Sequence, residues 1–388
     1  MRQRRSRLPL FTAGVLFSLL SIPAWAVSFT QTNLVTDNSA SNTAQITDSG
    51  LVNAWGLSFA PTGPFWVSAN GTNTSPLYSV DPTSQATTKL PLTVSVPGGV
   101  TGQAFSSTAS FNGDRFLFVS GDGTVSGWRP ALGTTGLVPA EVIAPASAAN
   151  VYTGATVGSV TGNDYLYAAN FKTGTVDAYK GTVAAPTLSG TFTDPSLPAG
   201  YAPFNVQNLN GELYVAYAKV DSVTHEETKG PGLGYVDKFT LNGDFIERVA
   251  SGGTLDAPWG VAIAPSSFGG MAGDLLVGNF GDGHINIYDS TTHAYLGQVM
   301  GDNNQPLAID GLWAISPGND TLAGSSHLLY FTAGPNDETH GLLGVLAPVP
   351  EPSTYAMMLV GIGILGLVIR RRNLQVEPAR SWNNTYPV

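Results

Sequence analysis

The chain has no cysteine, and only 11% of its 388 residues are charged. It can therefore form no disulfide and can use neither a thiol nucleophile nor a thiolate metal ligand. Its five histidines show no H-x-x-x-H zinc spacing, and the chain has no G-x-S-x-G elbow, Walker loop or dinucleotide-binding loop. These absences exclude the common thiol, zinc-helix, nucleophile-elbow and nucleotide-loop enzymes.

Basic residues are also scarce in the body of the chain. Positions 27–349 hold nine Lys and Arg against 25 Asp and Glu, which leaves a net charge of −16. Phosphate binding needs basic patches, so the composition excludes a nucleic-acid partner. An acidic exterior keeps an exported protein soluble and attracts cations.

The first 26 residues have the three parts of a secretory signal. Four arginines among the first seven residues precede an apolar run over 8–22, and Ala24-Trp25-Ala26 matches a small-residue cleavage site. The pattern predicts a signal peptide over 1–26, export through the Sec translocon and a mature chain that begins near Val27.

The C-terminal end has a second tripartite signal. A Pro-Glu-Pro motif precedes an apolar run over 355–369, and three arginines follow it. The residues that define this signal are Pro350, Glu351, Pro352, Arg370, Arg371 and Arg372. The arrangement resembles the PEP-CTERM sorting tag of Gram-negative bacteria, which an exosortase recognises.

This resemblance implies four segments at the C-terminal end of the protein. They are the end of the body at 347, a Pro-rich linker (348–354), a transmembrane sorting helix with its basic stop (355–372) and a cytoplasmic tail (373–388). The protein would reach the inner membrane transiently and then the cell envelope or extracellular matrix. An ordinary single-span anchor is the alternative.

The body is a repeat of a short apolar strand that ends in small residues. The final residues of successive copies are 51, 49, 48, 61 and 55 positions apart. The six copies occupy 65–70, 116–121, 165–170, 212–218, 274–279 and 329–334. Repeats of this length predict an all-β, six-bladed propeller of four-stranded blades over 27–347. The widest spacing indicates a polar insertion at 219–234, in which His225-Glu226-Glu227 is expected to be a solvated loop.

Each copy follows an apolar, glycine-containing stretch that indicates the innermost strand of a blade. Trp55-Gly56-Leu57 and Trp259-Gly260-Val261 are near-duplicates, and Trp313-Ala314-Ile315 is a third version. The last blade lacks a strand, and residues 29–37 have no blade of their own. We therefore predict that the N-terminal strand closes the ring beside 342–346, which removes an exposed sheet edge.

Four segments of the body carry a further resemblance. They are 255–260, 273–283, 309–313 and 331–338, and they resemble a bacterial family of six-bladed propellers, many of which bear PEP-CTERM tags. More distantly, the blades are similar to NHL-repeat and gluconolactonase-type propellers. The family has no established activity, so the resemblance implies a fold and a destination.

Functional residues are expected on the face where the inner strands begin and the second strands end. Six residues there are predicted ligand contacts: Asn53, Trp55, Asn150, Asn205, Trp259 and Trp313. Four are candidates for catalysis: Asp310, Asp337, Glu338 and His340. The alternative is structural, because tryptophans can plug the ring and Asn or Asp can brace turns.

The gluconolactonase resemblance implies one divalent cation on this face, held by Asn and carboxylate oxygens. Asn170, Asn279 and Asp310 occupy equivalent positions in three blades and are the predicted ligands of a Ca²⁺ or Mg²⁺ ion. The sequence thus leaves three functions open. The favoured one is binding of a glycan, matrix polymer or partner protein, with extracellular polysaccharide among the partners. The others are a metal-dependent lactonase or esterase and a purely structural matrix protein.

Overall fold

The computed structural model of the protein describes residues 27–349. The predicted signal peptide, the Pro-Glu-Pro motif, the sorting helix and the cytoplasmic tail lie outside the described residues. Within 27–349 the elements are strands and four short 3₁₀ helices at Asn70–Thr72, Phe111–Gly113, Pro130–Leu132 and Ser266–Met271. In the part of the chain that the structure describes, no helix is long and apolar enough to cross a membrane.

The strands form six sheets, which confirms the predicted six-bladed propeller. An N-terminal segment supplies β1 (Ser28–Thr36) and β2 (Ile46–Thr47). Blade one contains β3 (Ala54–Ser58), β4 (Phe65–Ala69), β5 (Thr74–Val80) and β6 (Thr87–Ser95). Blade two contains β7 (Val100–Phe105), β8 (Phe116–Ser120) and β9 (Val125–Trp128). The next strand, β10 (Gly136–Pro139), pairs with β6 and so belongs to the sheet of blade one. The strand after it, β11 (Glu141–Ala144), pairs with β9 and completes blade two.

Residues 152–348 supply the other four blades. Blade three contains β12 (Tyr152–Val160), β13 (Asn163–Asn170) and β14 (Thr175–Lys180). Blade four contains β15 (Tyr201–Leu209), β16 (Glu212–Val220), β17 (Glu227–Thr228), β18 (Gly234–Thr240) and β19 (Phe245–Ser251). Blade five contains β20 (Pro258–Ile263), β21 (Leu275–Asn279), β22 (Ile285–Tyr288) and β23 (Tyr295–Gln298). Blade six contains β24 (Met300–Gly301), β25 (Leu312–Pro317), β26 (Leu329–Ala333) and β27 (Leu342–Pro348).

Glycines in the inner strands allow these strands to crowd around the axis. A Cβ on Gly56 would lie 2.6 Å from the Thr101 carbonyl oxygen of the next blade, and a Cβ on Gly260 would lie 2.6 Å from the Trp313 carbonyl oxygen. Both distances are shorter than any real Cβ contact. Glycine is therefore required where the backbones of neighbouring blades touch.

The second strand of a blade is buried on both faces. All five residues of β4, β8, β21 and β26 are buried. Each of these strands lies between two neighbouring blades, so both faces pack against apolar side chains. This double burial explains why the repeat is a continuous apolar run instead of an alternating one.

Blade three departs from the prediction of four-stranded blades, because it contains only three strands. After its third strand the chain continues as the irregular segment 181–200, which contains Pro186, Pro195 and Pro198. Proline cannot donate a hydrogen bond to a strand ladder, so this segment cannot extend the sheet. It instead joins blade four, where the amide of Phe192 donates to the carbonyl of Gly243.

The N-terminal strand β1 lies in the sixth sheet, antiparallel to β27. Its register pairs Phe29 with Pro348 and Thr36 with Leu342. The amide of Val349 also donates to the carbonyl oxygen of Ser28, 2.8 Å away. The beginning and the end of the described chain therefore leave the ring side by side.

A buried ion cluster fastens the segment 181–200 to blade four. The Arg248 Nε donates to Asp237 Oδ1 at 2.7 Å, and the same guanidinium also pairs with Asp194. The side chains of Asp237 and Asp194 are 0% and 1% exposed. Burial raises the pKa of Asp237 to about 6, although the hydrogen bond from Arg248 acts in the opposite direction.

Candidate ligand pocket on the propeller axis

A cavity of about 540 Å³ opens on the face where the inner strands begin. This volume is within the range of small-molecule sites. Eleven residues from blades one, three, four and six line it: Trp55, Val151, Thr153, Phe171, Phe204, His225, Glu226, Glu227, Lys229, Asp337 and Glu338. We call this cavity the axial pocket. Three of its residues, Trp55, Asp337 and Glu338, are sequence-predicted site residues.

Aromatic side chains form the floor of the axial pocket. The rings of Trp55 and Trp313 stack with centroids 3.6 Å apart, and the ring of Phe280 stacks on the other side at 4.0 Å from Trp313. Phe171 and Phe204 extend this floor toward blades three and four, with their centroids 5.2 Å apart. Trp55 and Phe171 are 9% and 4% exposed, and they line the bottom of the cavity with this small accessible part of their rings.

Trp259 and Trp313 lie below this floor, in the core. They are 3% and 0% exposed and do not line the axial pocket. Asn205 is likewise fully buried, and its side-chain amide donates to the carbonyl oxygen of Trp259 at 2.8 Å. The structure thus places these three predicted ligand contacts in the core near the axis, and their role in binding stays a prediction.

One wall of the axial pocket is a left-handed turn after β26. Asn336, Asp337 and Glu338 have φ values of 57°, 50° and 63°. Non-glycine residues pay about 1–2 kcal/mol each for this conformation, so the surroundings must impose it. The Asp310 Oδ2 accepts a hydrogen bond from the Asn336 amide at 2.8 Å and anchors the start of the turn. Asp310 is therefore a positioning residue for the turn in this structure.

The Glu338 side chain is aimed by a second set of hydrogen bonds. The Asn53 Nδ2 donates to Glu338 Oε2 at 2.8 Å, and the Trp55 Nε1 donates to Asn53 Oδ1 at 2.9 Å. The pKa of Glu338 is raised by burial, and the bond from Asn53 only partly offsets this effect. Asn53 thus connects the aromatic floor to a half-buried carboxyl group of the wall.

The opposite wall comes from the insertion after β16, where the sequence indicated a solvated loop. The insertion extends β16 into a hairpin, and β17 pairs Glu227 with Val220. Glu227 is half-buried and lines the axial pocket. This corrects the expectation for Glu227, because its short strand folds the side chain inward. His225 and Glu226 line the rim and are exposed, as expected.

Burial and negative charge act together on Glu227. Burial raises its pKa to about 7, and the nearby charge of Glu338 contributes in the same direction. Lys229 also lines the pocket, with its Nζ 4.1 Å above the centroid of the Phe280 ring. Over residues 27–349, neither glutamate forms a salt bridge. The charge of Lys229 lowers the pKa of both glutamates, but within the described residues neither carboxyl group is directly paired with a cation.

The predicted metal ligands are hydrogen bonded in three separate turns. The Asn170 side chain donates to Asn150 and Asp177 at 3.0 and 2.9 Å, and that of Asn279 donates to the Thr254 carbonyl and to Asp282. Asp310 binds the Asn336 amide. The residues that the structure describes include no cluster of three or more His, Asp or Glu able to hold a metal ion. A cation on Asn170, Asn279 and Asp310 stays a prediction.

His340 lies outside the axial pocket and ties blade six to the N-terminal segment. Its Nδ1 is 2.9 Å from Asp37 Oδ2, and its Nε2 is 3.0 Å from Ser41 Oγ. Asn150 accepts a hydrogen bond from Asn170 in the turn before β12. The structure thus gives both residues structural partners, and their predicted roles in catalysis and ligand binding remain predictions.

Comparison with known proteins supports both the destination and the fold. The PEP-CTERM protein-sorting motif matches residues 348–372. Two uncharacterised proteins of Acanthamoeba polyphaga mimivirus are each 30% identical; one match covers 83% of this chain and 81% of the relative, and the other covers 77% and 81%. An α-L-arabinofuranosidase from Fusarium graminearum is 11% identical, with a TM-score of 0.53, 82% of this chain and 98% of that one covered. At this identity the likeness shows the fold alone.

Proposed function

The chain belongs to the family that includes the two mimivirus proteins, and from this premise we propose that it is an exported envelope propeller that binds a glycan in the axial pocket. The PEP-CTERM motif indicates export, sorting to the envelope and processing by an exosortase-type enzyme. The glycan and its place in the axial pocket are our own inference.

The observation that supports a glycan is an aromatic floor beneath half-buried carboxyl groups. A sugar ring has apolar C–H faces that pack on aromatic side chains and hydroxyl groups that donate to carboxylate oxygens. The axial pocket offers both, with Trp55 and Phe171 below and Glu227 and Glu338 at the sides. Its volume of about 540 Å³ suits one or two sugar rings.

Glycan binding can be tested by calorimetry on the mature protein with oligosaccharides selected from a glycan array. Glu338→Ala is expected to weaken binding about tenfold or more, because one charge-assisted hydrogen bond is lost. The matched control is Glu212→Ala. Glu212 lies at the start of β16, and the opposite end of this strand leads to the pocket, so the substitution Glu212→Ala should leave the affinity unchanged. Absence of any glycan ligand would contradict the proposal.

The same samples test whether the protein hydrolyses the glycan that it binds. The raised pKa of Glu227 is the observation that favours hydrolysis. A carboxyl group with a pKa of about 7 can donate a proton at neutral pH. Shortened products in the mass spectrum, lost in Glu227→Gln, would show that the bound glycan is a substrate. A ligand recovered intact leaves binding as the function.

We also propose that the sorting tag is removed. The secreted or envelope form should then begin near Val27 and lack residues 355–388, because the signal peptide is cleaved during export through the Sec translocon and exosortase-type processing removes the other end. Intact-mass analysis of envelope or secreted material measures both ends. A full-length tail retained in the inner membrane would instead show that the segment is a simple anchor.

Finally, we propose that β1 closes the ring. Its pairing with β27 covers what would otherwise be a free sheet edge of blade six. In this proposal the first strand of the mature chain stabilises the whole propeller, and the axial pocket depends on it because blades one and six both contribute residues.

A further inference from the structure

We propose that the ligand of the axial pocket carries a protonated amine, as a glucosamine-type sugar does, and that this ammonium group sits between Glu227 and Glu338. The inference rests on the proposed glycan binding and names the chemical class of the glycan. It follows from the charges around the cavity, from the two segments that position Glu227 and Glu338, and from the absence of a metal-binding cluster in the described residues.

The axial pocket has an excess of negative charge. Four acidic side chains line it, Glu226, Glu227, Asp337 and Glu338, against one lysine and one histidine. Lys229 stacks over Phe280 and forms no salt bridge within residues 27–349. The charge of Lys229 favours the ionised form of both glutamates without pairing directly with either, and a half-buried carboxylate that lacks a direct partner remains unfavourable. A ligand that brings its own cation would satisfy both glutamates at once.

Two segments that are not part of the regular blades position these carboxyl groups in the pocket. The hairpin of the insertion brings Glu227 from blade four, and the left-handed turn held by Asp310 brings Glu338 from blade six. Trp55, Phe171 and Phe204 of the aromatic floor line the same cavity as the two glutamates. An ammonium group on a sugar ring that packs on this floor would be within reach of both side walls, and its attraction to the rings adds to its attraction to the carboxylates.

A metal ion fits the same charges less well. Within 27–349 no three acidic or histidine side chains converge closely enough to hold one. The carboxyl groups instead surround a cavity of about 540 Å³, which is many times the ~30 Å³ that one water molecule occupies. An organic cation fills this space and still contacts the carboxylates at its edges.

The ammonium group should also change the protonation of the pocket. Burial raises the pKa of Glu227 to about 7 in the free protein, and a cation beside it favours the charged form and lowers that pKa. Binding near neutral pH should therefore release protons. The other titratable groups facing Glu227 are Glu226, Lys229 and Glu338, with His225 and Asp337 at the rim, so proton release must be compared with that of Glu227→Gln.

The test compares two oligosaccharides that differ only in charge, an oligomer of glucosamine and the same oligomer of N-acetylglucosamine. Calorimetry on the mature protein near neutral pH, where the amine and Glu227 are both partly charged, should show the free amine binding about tenfold or more tightly than the acetylated oligomer. Glu227→Gln and Glu338→Gln should each remove most of this preference and keep the binding of the acetylated oligomer. Glu212→Gln, on the opposite face, should keep the preference. Thermal unfolding confirms that each variant is folded.

The other outcomes separate this inference from the proposed function. Equal affinity for both oligomers, or binding of neutral glycans only, would overturn the ammonium site and leave glycan binding intact. A preference that persists in both glutamine variants would overturn the site as well, because general attraction by the acidic surface would explain it. Stoichiometric calcium binding that displaces the amine would replace the inference by a metal site. Failure of every glycan to bind would defeat the proposed function itself.

Discussion

Deletion of residues 27–37 is expected to unfold the propeller. The deletion removes β1 and leaves β27 as an open edge of blade six. It also removes Phe29, Leu34 and Val35, which are 1%, 0% and 0% exposed. Burial of such side chains contributes about 1.5–3 kcal/mol each, so their sum approaches the ~5–15 kcal/mol of a whole domain.

Single substitutions in β1 provide the matched comparison. Phe29 packs on Phe268 with ring centroids 4.4 Å apart, whereas Thr30 is exposed. Phe29→Ala should reduce the free energy of unfolding by about 3–5 kcal/mol, and Thr30→Ala should change it by less than about 0.5 kcal/mol. Urea unfolding followed by tryptophan fluorescence measures both. A deletion variant that melts at the temperature of the intact chain would contradict closure by β1.

Arg248→Ala is expected to destabilise the protein by about 3–5 kcal/mol, because it leaves buried charge without a partner. Asp237 and Asp194 are almost completely buried, and Arg248 pairs with both. The control is Lys238→Ala on the same blade, whose partners Glu212 and Glu247 are 43% exposed. Loss of these exposed pairs should cost at most about 1 kcal/mol.

The deficit of Arg248→Ala should depend on pH. The pKa of Asp237 is already raised to about 6 by burial, and loss of the guanidinium raises it further. When the pKa of a carboxyl group is higher in the folded than in the unfolded protein, the folded protein becomes less stable as pH rises from the unfolded pKa to the folded one. The deficit should therefore be small near pH 4 and grow toward pH 7. A deficit independent of pH would show that lost packing, and not buried charge, is its cause.

In the candidate site, the repeat pattern predicted the positions of residues next to repeated strands but not those of residues outside the repeat. Asn53, Trp55 and Glu338 were placed on the functional face because each follows or begins a repeated strand, and repeats are local. Glu227 was assigned to solvent, because His225-Glu226-Glu227 is polar and lies outside the repeat. Its short pairing with β16 was the missing signal, and two residues of strand are too few for any periodicity to reveal.

Asp310 illustrates a second limit. The sequence placed it at the start of an inner strand and predicted a metal ligand, and the structure gives it the amide of Asn336 as a partner. Both roles require an oxygen at that position, so residue type could not distinguish them. The anchoring role depends on three successive left-handed residues, Asn336, Asp337 and Glu338, none of which is glycine, so the sequence did not reveal it. The predicted role of Asp310 as a metal ligand stays a prediction.

The sequence by itself determined the number of blades, the order of their strands and the crowding of glycine at the axis, because each repeat is a local unit of about fifty residues that must bury its apolar faces against the next. It also determined the sorting tag, which is a linear signal. Only the tertiary structure decided which carboxyl groups share a cavity. Glu227 and Glu338 are more than one hundred residues apart in the chain, and they line one cavity because the ring brings blades four and six to a common axis while two irregular segments turn inward.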